Sequence, residues 1–143
     1  MSVDWSDLRE GDERSIEVAD PIDRTHFVRY AGAGGDFNPI HHDQTFAEKA
    51  GLPTVFGMGM FTAGVLSRIP SQWFGPESVQ RFKVRFATRL WPGDSLLLHG
   101  KITRLYEQDG LPHADLELRA ANQKDETLIS GEATVRPWRA GGA

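Results

Sequence analysis

Apolar positions change their period halfway along the chain. In the first half they recur at helical spacing: Phe27 and Tyr30 share a face at i, i+3, which predicts a helix from Asp23 to Tyr30 after a short strand at Ser15-Ile16-Glu17-Val18. Asp43 is a good N-cap for a helix from Gln44 to Ala50, with Gly51 at its C-terminal end, Pro53 blocking continuation, and Phe46, Ala47 and Ala50 on its apolar side. The segment Gly57 to Ile69 carries Phe61, Val65 and Ile69 at helical spacing and further apolar residues on its other faces. A helix apolar nearly all round requires burial on every side, so this one is expected at the centre of the fold. Its three glycines disfavour an isolated helix and point to close backbone packing or to exposed amides at its start.

In the second half the period is two. Phe82, Val84 and Phe86 alternate with Arg81, Lys83 and Arg85, and Ala114, Leu116, Leu118 and Ala120 alternate with Asp115, Glu117 and Arg119. Pro92-Gly93-Asp94 and Gln108-Asp109-Gly110 supply turns, and the runs Leu96 to Tyr106 and Leu128 to Val135 complete a four-strand antiparallel meander. A sheet with one apolar face and an apolar helix are complementary partners. The predicted class is therefore α+β, a curved antiparallel sheet wrapped around a central apolar helix.

With 143 residues, 39% hydrophobic and 25% charged, the chain suits one domain, 1–143, with an ordinary core. A net charge of −4 lacks the cationic field of a nucleic-acid binder. The absence of cysteine excludes disulfides, thiolate nucleophiles and cysteine-ligated metal centres, and fits a cytoplasmic, reducing location. The opening residues carry acids where an export signal needs a basic start, and the most apolar stretch, from about Val55 to Ile69, is too short to span a bilayer. No membrane partner is expected. The closing Gly141-Gly142-Ala143 is expected to fray.

Reactive residue types concentrate in Gly34-Gly35-Asp36-Phe37-Asn38-Pro39-Ile40-His41-His42-Asp43. Asp36 and His41 are five apart, which separates them on an ideal helix or strand, so only a loop converges them. Pro39 biases Asn38 away from the helical region, Asn38 is suited to an Asx turn, and the two glycines permit tight geometry before the acid. A carboxylate and an imidazole held together suit proton transfer to and from a bound water. Local spacing does not separate this from a plainer reading, in which Asp36 caps a turn and His41 bonds a backbone carbonyl.

Tyr30, Gly35-Asp36-x-Asn38-Pro39-Ile40-His41-x-Asp43, Gly51-Leu52-Pro53, Gly59-Met60-Phe61-Thr62, and Arg85-Phe86 followed by Pro92-Gly93-Asp94 together resemble the signature of MaoC-like, R-specific enoyl-CoA hydratases. That resemblance implies a hot-dog fold whose units pair to form the working site. It implies hydration of trans-2-enoyl thioesters to (R)-3-hydroxyacyl thioesters, and the reverse dehydration, with Asp36 and His41 as the acid–base dyad. The Gly59 amide is then the donor that holds the thioester oxygen, helped by the positive end of the helix dipole. Asn38, Met58, Met60, Arg81, Lys83 and Arg85 become candidate substrate-binding residues. The carrier is coenzyme A or acyl carrier protein, and neither metal nor redox cofactor is implied. The expected assembly is a homodimer, with a heterodimer of related hot-dog subunits as the alternative.

Two positions depart from the family pattern: Met58 stands where histidine is common, and Gly34 where serine or threonine is frequent. The rival functions are a hot-dog thioesterase and an acyl-thioester-binding subunit without turnover, the latter motivated by Met58. Adjacent histidines diverge, so His41 and His42 are not expected to share a metal. His26, His99 and His113 are isolated. The stripe Arg81, Lys83, Arg85 and Arg89 suits coenzyme A phosphates and a charged outer sheet face about equally. Gly32-Ala33-Gly34-Gly35 lacks the spacing of a dinucleotide loop, and no G-x-S-x-G elbow occurs.

Overall fold

The computed structural model describes residues 3–137, so the Gly141-Gly142-Ala143 tail lies outside the described residues. The elements are β1 (Glu13–Glu17), α1 (Arg24–Gly34), a 3-10 turn (Pro39–His41), α2 (Gln44–Lys49), α3 (Gly59–Leu66), α4 (Arg68–Phe74), a second 3-10 turn (Pro76–Ser78), β2 (Val79–Phe86), β3 (Leu97–Gln108), β4 (Leu111–Ala121) and β5 (Thr127–Val135). All strand pairs are antiparallel, in the order β1-β3-β4-β5-β2. The expected α+β class holds.

Local chemistry sets several boundaries. Asp23 caps α1: its carboxylate accepts the His26 N–H at 3.0 Å, and His26 Nδ1 turns back to lie 2.7 Å from that carboxylate and 3.2 Å from the Asp23 backbone nitrogen. Asp43 caps α2 by accepting the Phe46 N–H, and Gly51 follows the helix at φ 79°. Asp109 and Gly110, at φ 53° and 71°, form the primed turn that joins β3 to β4, matching the right-handed twist of the strands.

Three expectations change. The helix foreseen from Gly57 to Ile69 is two helices, α3 and α4, meeting at Ser67. Pro70 has no N–H to give the Leu66 carbonyl four residues back, and its ring crowds that carbonyl, so the first helix stops at Leu66. In α4 the same proline falls in the first turn, where no N–H is needed. The four-strand meander is also revised. Strands β3, β4 and β5 are sequential neighbours, but β2 pairs with β5 at the far edge, from Arg81↔Thr134 to Phe86↔Ile129. Third, α3 is not enclosed. Thr62, Ala63 and Leu66 are buried, whereas Gly59, Met60 and Gly64 are exposed.

The core lies between the helices and the inner sheet face, where Leu98, Ile102, Leu116, Leu118, Ala133 and Val135 meet Leu66 and Ile69. Gly100 permits this approach: a Cβ there would run into the Ile69 side chain. The outer face is polar. Its central rung reads Lys101, Glu117, Glu132 and Lys83 across four strands.

Candidate active site

Helix α1 ends where Gly35 takes the left-handed conformation, φ 72° and ψ 14°, and donates its N–H to the Ala31 carbonyl at 2.9 Å. The reversal launches the reactive loop. Asp36 Oδ1 accepts the Asn38 N–H at 3.3 Å, and Asn38 Oδ1 accepts the Ile40 N–H at 3.1 Å. Pro39 opens the 3-10 turn, whose carbonyl receives the His42 and Asp43 N–H groups. Two overlapping side-chain turns and one tight helical turn therefore bring the acid and the imidazole together, with His41 Nε2 at 3.8 Å from Asp36 Oδ2.

His41 is buried and its other nitrogen is committed. Nδ1 lies 2.7 Å from the Phe56 carbonyl oxygen, which only accepts, so Nδ1 donates that bond, and in the tautomer this selects the Nε2 lone pair is presented towards Asp36. The Phe56 ring meets the imidazole edge-on at 5.0 Å, Trp91 braces Phe56 at 6.0 Å, and the Arg89 guanidinium lies over Phe56 at 5.2 Å. Both plainer readings of the dyad are thus realised locally, since Asp36 does cap a turn and His41 does bond a carbonyl. Neither uses up the facing atoms. A gap of 3.8 Å exceeds a direct hydrogen bond, but a water about 2.8 Å from each atom fits at its apex and gives one hydrogen to each acceptor.

Asp36 opens into a cleft of about 830 Å³ that is also lined by Met58, Gly59, Thr62, Phe86, Arg89 and Trp91. Helix α3 begins in this cleft. Met58 occupies its N-cap without a side-chain hydrogen bond, and the Gly59 and Met60 N–H groups meet no acceptor among the described residues. Those free donors, at the positive end of the helix, face a position where negative charge is stabilised. A Cβ on Gly59 would sit 2.7 Å from Phe86 Cε1, so glycine lets the Phe86 ring pack directly against the start of α3. Gly57 ties the segment to the opposite wall by donating its N–H to the Leu90 carbonyl at 2.8 Å.

The other candidates divide. Met58 is almost fully buried in the cleft wall and Met60 is exposed at its rim. Asn38 is exposed and shapes the loop by its turn bond, outside the cleft lining. Arg81, Lys83 and Arg85 project from the outer sheet face, in a separate hollow with Glu117 and Glu132, and Arg81 Nη2 lies 4.0 Å from Glu132 Oε2. Alternation explains the placement: on β2, Phe82 and Val84 claim the helix side, so the odd-numbered residues turn away. Of the basic stripe, only Arg89, beyond the strand, enters the cleft. His42 points elsewhere than His41, with Nε2 at 3.3 Å from the Phe37 carbonyl. His26 belongs to the α1 cap, His99 meets Ser15, and His113 stacks on Tyr106. Phe56 was invisible to sequence reasoning because its main contribution is a backbone carbonyl, which no side-chain pattern reports.

A family model described as "MaoC like domain" matches residues 7–110, most of the chain and all of the loop, cleft and helix start just described. The chain belongs to the MaoC-like family. This MaoC-like domain is 50% identical over 60 residues to 3-hydroxyacyl-thioester dehydratase X of Mycobacterium tuberculosis, a match covering 41% of the chain and 20% of that protein. It is 39% identical over 62 residues, covering 43% of the chain and 7% of the relative, to the peroxisomal hydratase-dehydrogenase-epimerase of Saccharomyces cerevisiae. The matches thus span a fifth or less of these curated relatives. Among solved structures, a MaoC-like dehydratase superposes with a TM-score of 0.82 at 31% identity, over 93% of this domain and 42% of that chain. The (R)-hydratase from A. caviae superposes with a TM-score of 0.81 at 22% identity, over 92% and 98% of the two chains, and shares the hot-dog fold.

Proposed function

We propose that this MaoC-like domain interconverts trans-2-enoyl and (R)-3-hydroxyacyl thioesters, as a hydratase or dehydratase. The observation that supports the reading is the facing of His41 Nε2 and Asp36 Oδ2 across 3.8 Å, where Asp36 lines the same cleft as Gly59 at the start of α3, whose amide has no acceptor among the described residues. In the forward direction the bridging water adds its oxygen to the β-carbon while the pair accepts one proton. The electron pair of the double bond moves towards the α-carbon and thioester oxygen, and the Gly59 N–H bonds that oxygen as it gains charge. The pair then returns one proton to the α-carbon, so one water is consumed and the pair regains its starting state. This chemistry uses no metal or redox cofactor.

Arg89 is the cation in the cleft suited to a phosphorylated carrier, coenzyme A or acyl carrier protein, in place of Arg81, Lys83 and Arg85. Met60 and Phe86, 58% and 54% exposed beside Gly59 and the unpaired edge of β2, support assembly with a second hot-dog unit, a second copy of this chain first. The crystallised ChsH1-ChsH2 complex from Mycobacterium tuberculosis, with a TM-score of 0.78 at 18% identity over 91% of this chain, keeps a heteromer as the second reading. Met58 favours a binding subunit only in that no histidine stands there. Its side chain leaves the helix amides free, so the donor set is intact.

The test is water addition to crotonyl-CoA, with chiral analysis of the product, alongside thiol release from butyryl-CoA. Formation of (R)-3-hydroxybutyryl-CoA without thiol release is expected. Thiol release alone identifies a thioesterase, and neither reaction identifies a binding subunit.

A further inference from the structure

The first turn of α3 contains one polar side chain that the scheme above does not use. Thr62 is 2% exposed and lines the cleft; no side-chain hydrogen bond engages its hydroxyl among the described residues, and no unpartnered side-chain polar atom there is shut off from solvent, so the hydroxyl holds the residue's small opening to the cleft. A helical threonine ordinarily returns its hydroxyl to the carbonyl four residues earlier. Here the Met58 carbonyl instead receives the N–H groups of Phe61 at 3.1 Å and Thr62 at 3.4 Å. The hydroxyl is therefore left to donate into the cleft rather than back to its own helix, where water or a ligand takes the bond. A ligand that enters the cleft is the partner this hydroxyl meets.

Position determines what the hydroxyl meets. Side chains on a helix lean towards its N-terminus and cover the preceding turn, so Thr62 lies over the Met58–Gly59 turn, on the side where the free amides emerge. We infer that Thr62 is a second donor to the thioester oxygen, its hydroxyl joining the Gly59 N–H. The inference rests on the hydratase reading for the identity of that oxygen, and on the cleft-facing hydroxyl with no partner among the described residues for the residue. The role is direct contact with substrate. The hydroxyl keeps its proton throughout, so the proton balance of the reaction is unchanged.

The experiment compares Thr62→Val, which keeps the shape and removes the donor, with Thr62→Ser, which keeps the donor. Kinetics are measured with crotonyl-CoA, binding with unreactive butyryl-CoA by calorimetry, and stability by thermal unfolding. Removal of one such donor is expected to lower kcat by about 10²-fold, with KM changed far less, while serine restores kcat to within about threefold. The valine variant should unfold no earlier than wild type, because the group it loses has no partner in the folded protein. If valine prevents folding, Thr62→Ala replaces it. A kcat within twofold of wild type for the donor-free variant overturns the inference, and so does a serine variant as impaired as valine. Should wild type bind butyryl-CoA but hydrate nothing, the hydratase reading fails separately. Thr62 is then decided by whether valine weakens butyryl-CoA binding about tenfold or leaves it unchanged. A wild type that neither hydrates nor binds overturns both.

Discussion

Asp36→Asn tests the bridging-water geometry directly. The amide oxygen can still accept the Asn38 N–H, so the turn that shapes the loop survives. What changes is the atom facing His41: an amide N–H in place of Oδ2 points a donor at the Nε2 lone pair across a separation of 3.8 Å. The water then meets a donor where it had its second acceptor, and only the imidazole is left to take its proton. General acid–base contributions of about 10²–10⁴ in rate correspond to roughly 2.7–5.4 kcal/mol of barrier, and kcat for crotonyl-CoA hydration should fall within that range. Folding should hardly respond. The Asp36 side chain is 44% exposed, so its contact with His41 contributes at most about 1 kcal/mol, or a midpoint shift below about 4 °C for a chain of this size. Steady-state kinetics on Asp36→Asn, His41→Gln and the double variant, with unfolding curves for each, separate the two effects. Because the pair acts as a unit, the double variant should be little worse than either single one. A kcat within tenfold of wild type for Asp36→Asn, or losses that multiply in the double variant, would refute the shared water.

Three further outcomes follow from other parts of the fold. Arg89→Ala should raise KM for crotonyl-CoA several-fold while Arg81→Ala changes it less than twofold, because only the former lines the cleft; equal effects would return the outer stripe to consideration. Asp94 is buried, accepts the Trp91 N–H and the Gln123 side-chain amide at 2.9 Å each, and so secures the wall that braces Phe56; Asp94→Ala should cost about 2–4 kcal/mol in urea unfolding, and a loss below 0.5 kcal/mol would contradict the clamp. The bond from the His26 N–H, followed by that from its side chain, holds the Asp23 carboxyl below its ordinary 3.8. A depressed folded value means that the cap's contribution is present above pH 3.8 and lost as pH falls through the lower folded value, so a carboxyl NMR titration should place Asp23 below 3.8, and a midpoint at or above it would refute the cap.

Residues that interact within about five positions were legible from the chain alone. Asp43 caps its helix, Asp109-Gly110 turns the hairpin, and the Asp36-to-His41 loop closes on itself, because each depends on hydrogen bonds and backbone preferences of near neighbours, whereas Asp23, expected as the first residue of a helix, is its cap. The break at Pro70 was equally local and equally readable, but the apolar run across it hid the missing N–H. Alternation also separated Phe82 and Val84 from Arg81, Lys83 and Arg85 on β2, and Leu116 and Leu118 from Glu117 and Arg119 on β4. It did not say which strand lies beside which.

That β2 pairs with β5 was decided only by tertiary structure, since period-two patterning is the same whichever neighbour a strand finds. The separation of Arg89 from Arg81, Lys83 and Arg85, the Phe56 carbonyl that sets the His41 tautomer, and the solitary hydroxyl of Thr62 belong to the same category. Each is a relation between groups far apart in the chain or a partner that fails to arrive. The sequence by itself therefore determined the local pieces and the chemical types available. Three-dimensional closure decided which of those types share a cleft, because burial and long-range hydrogen bonding are properties of neighbours in space.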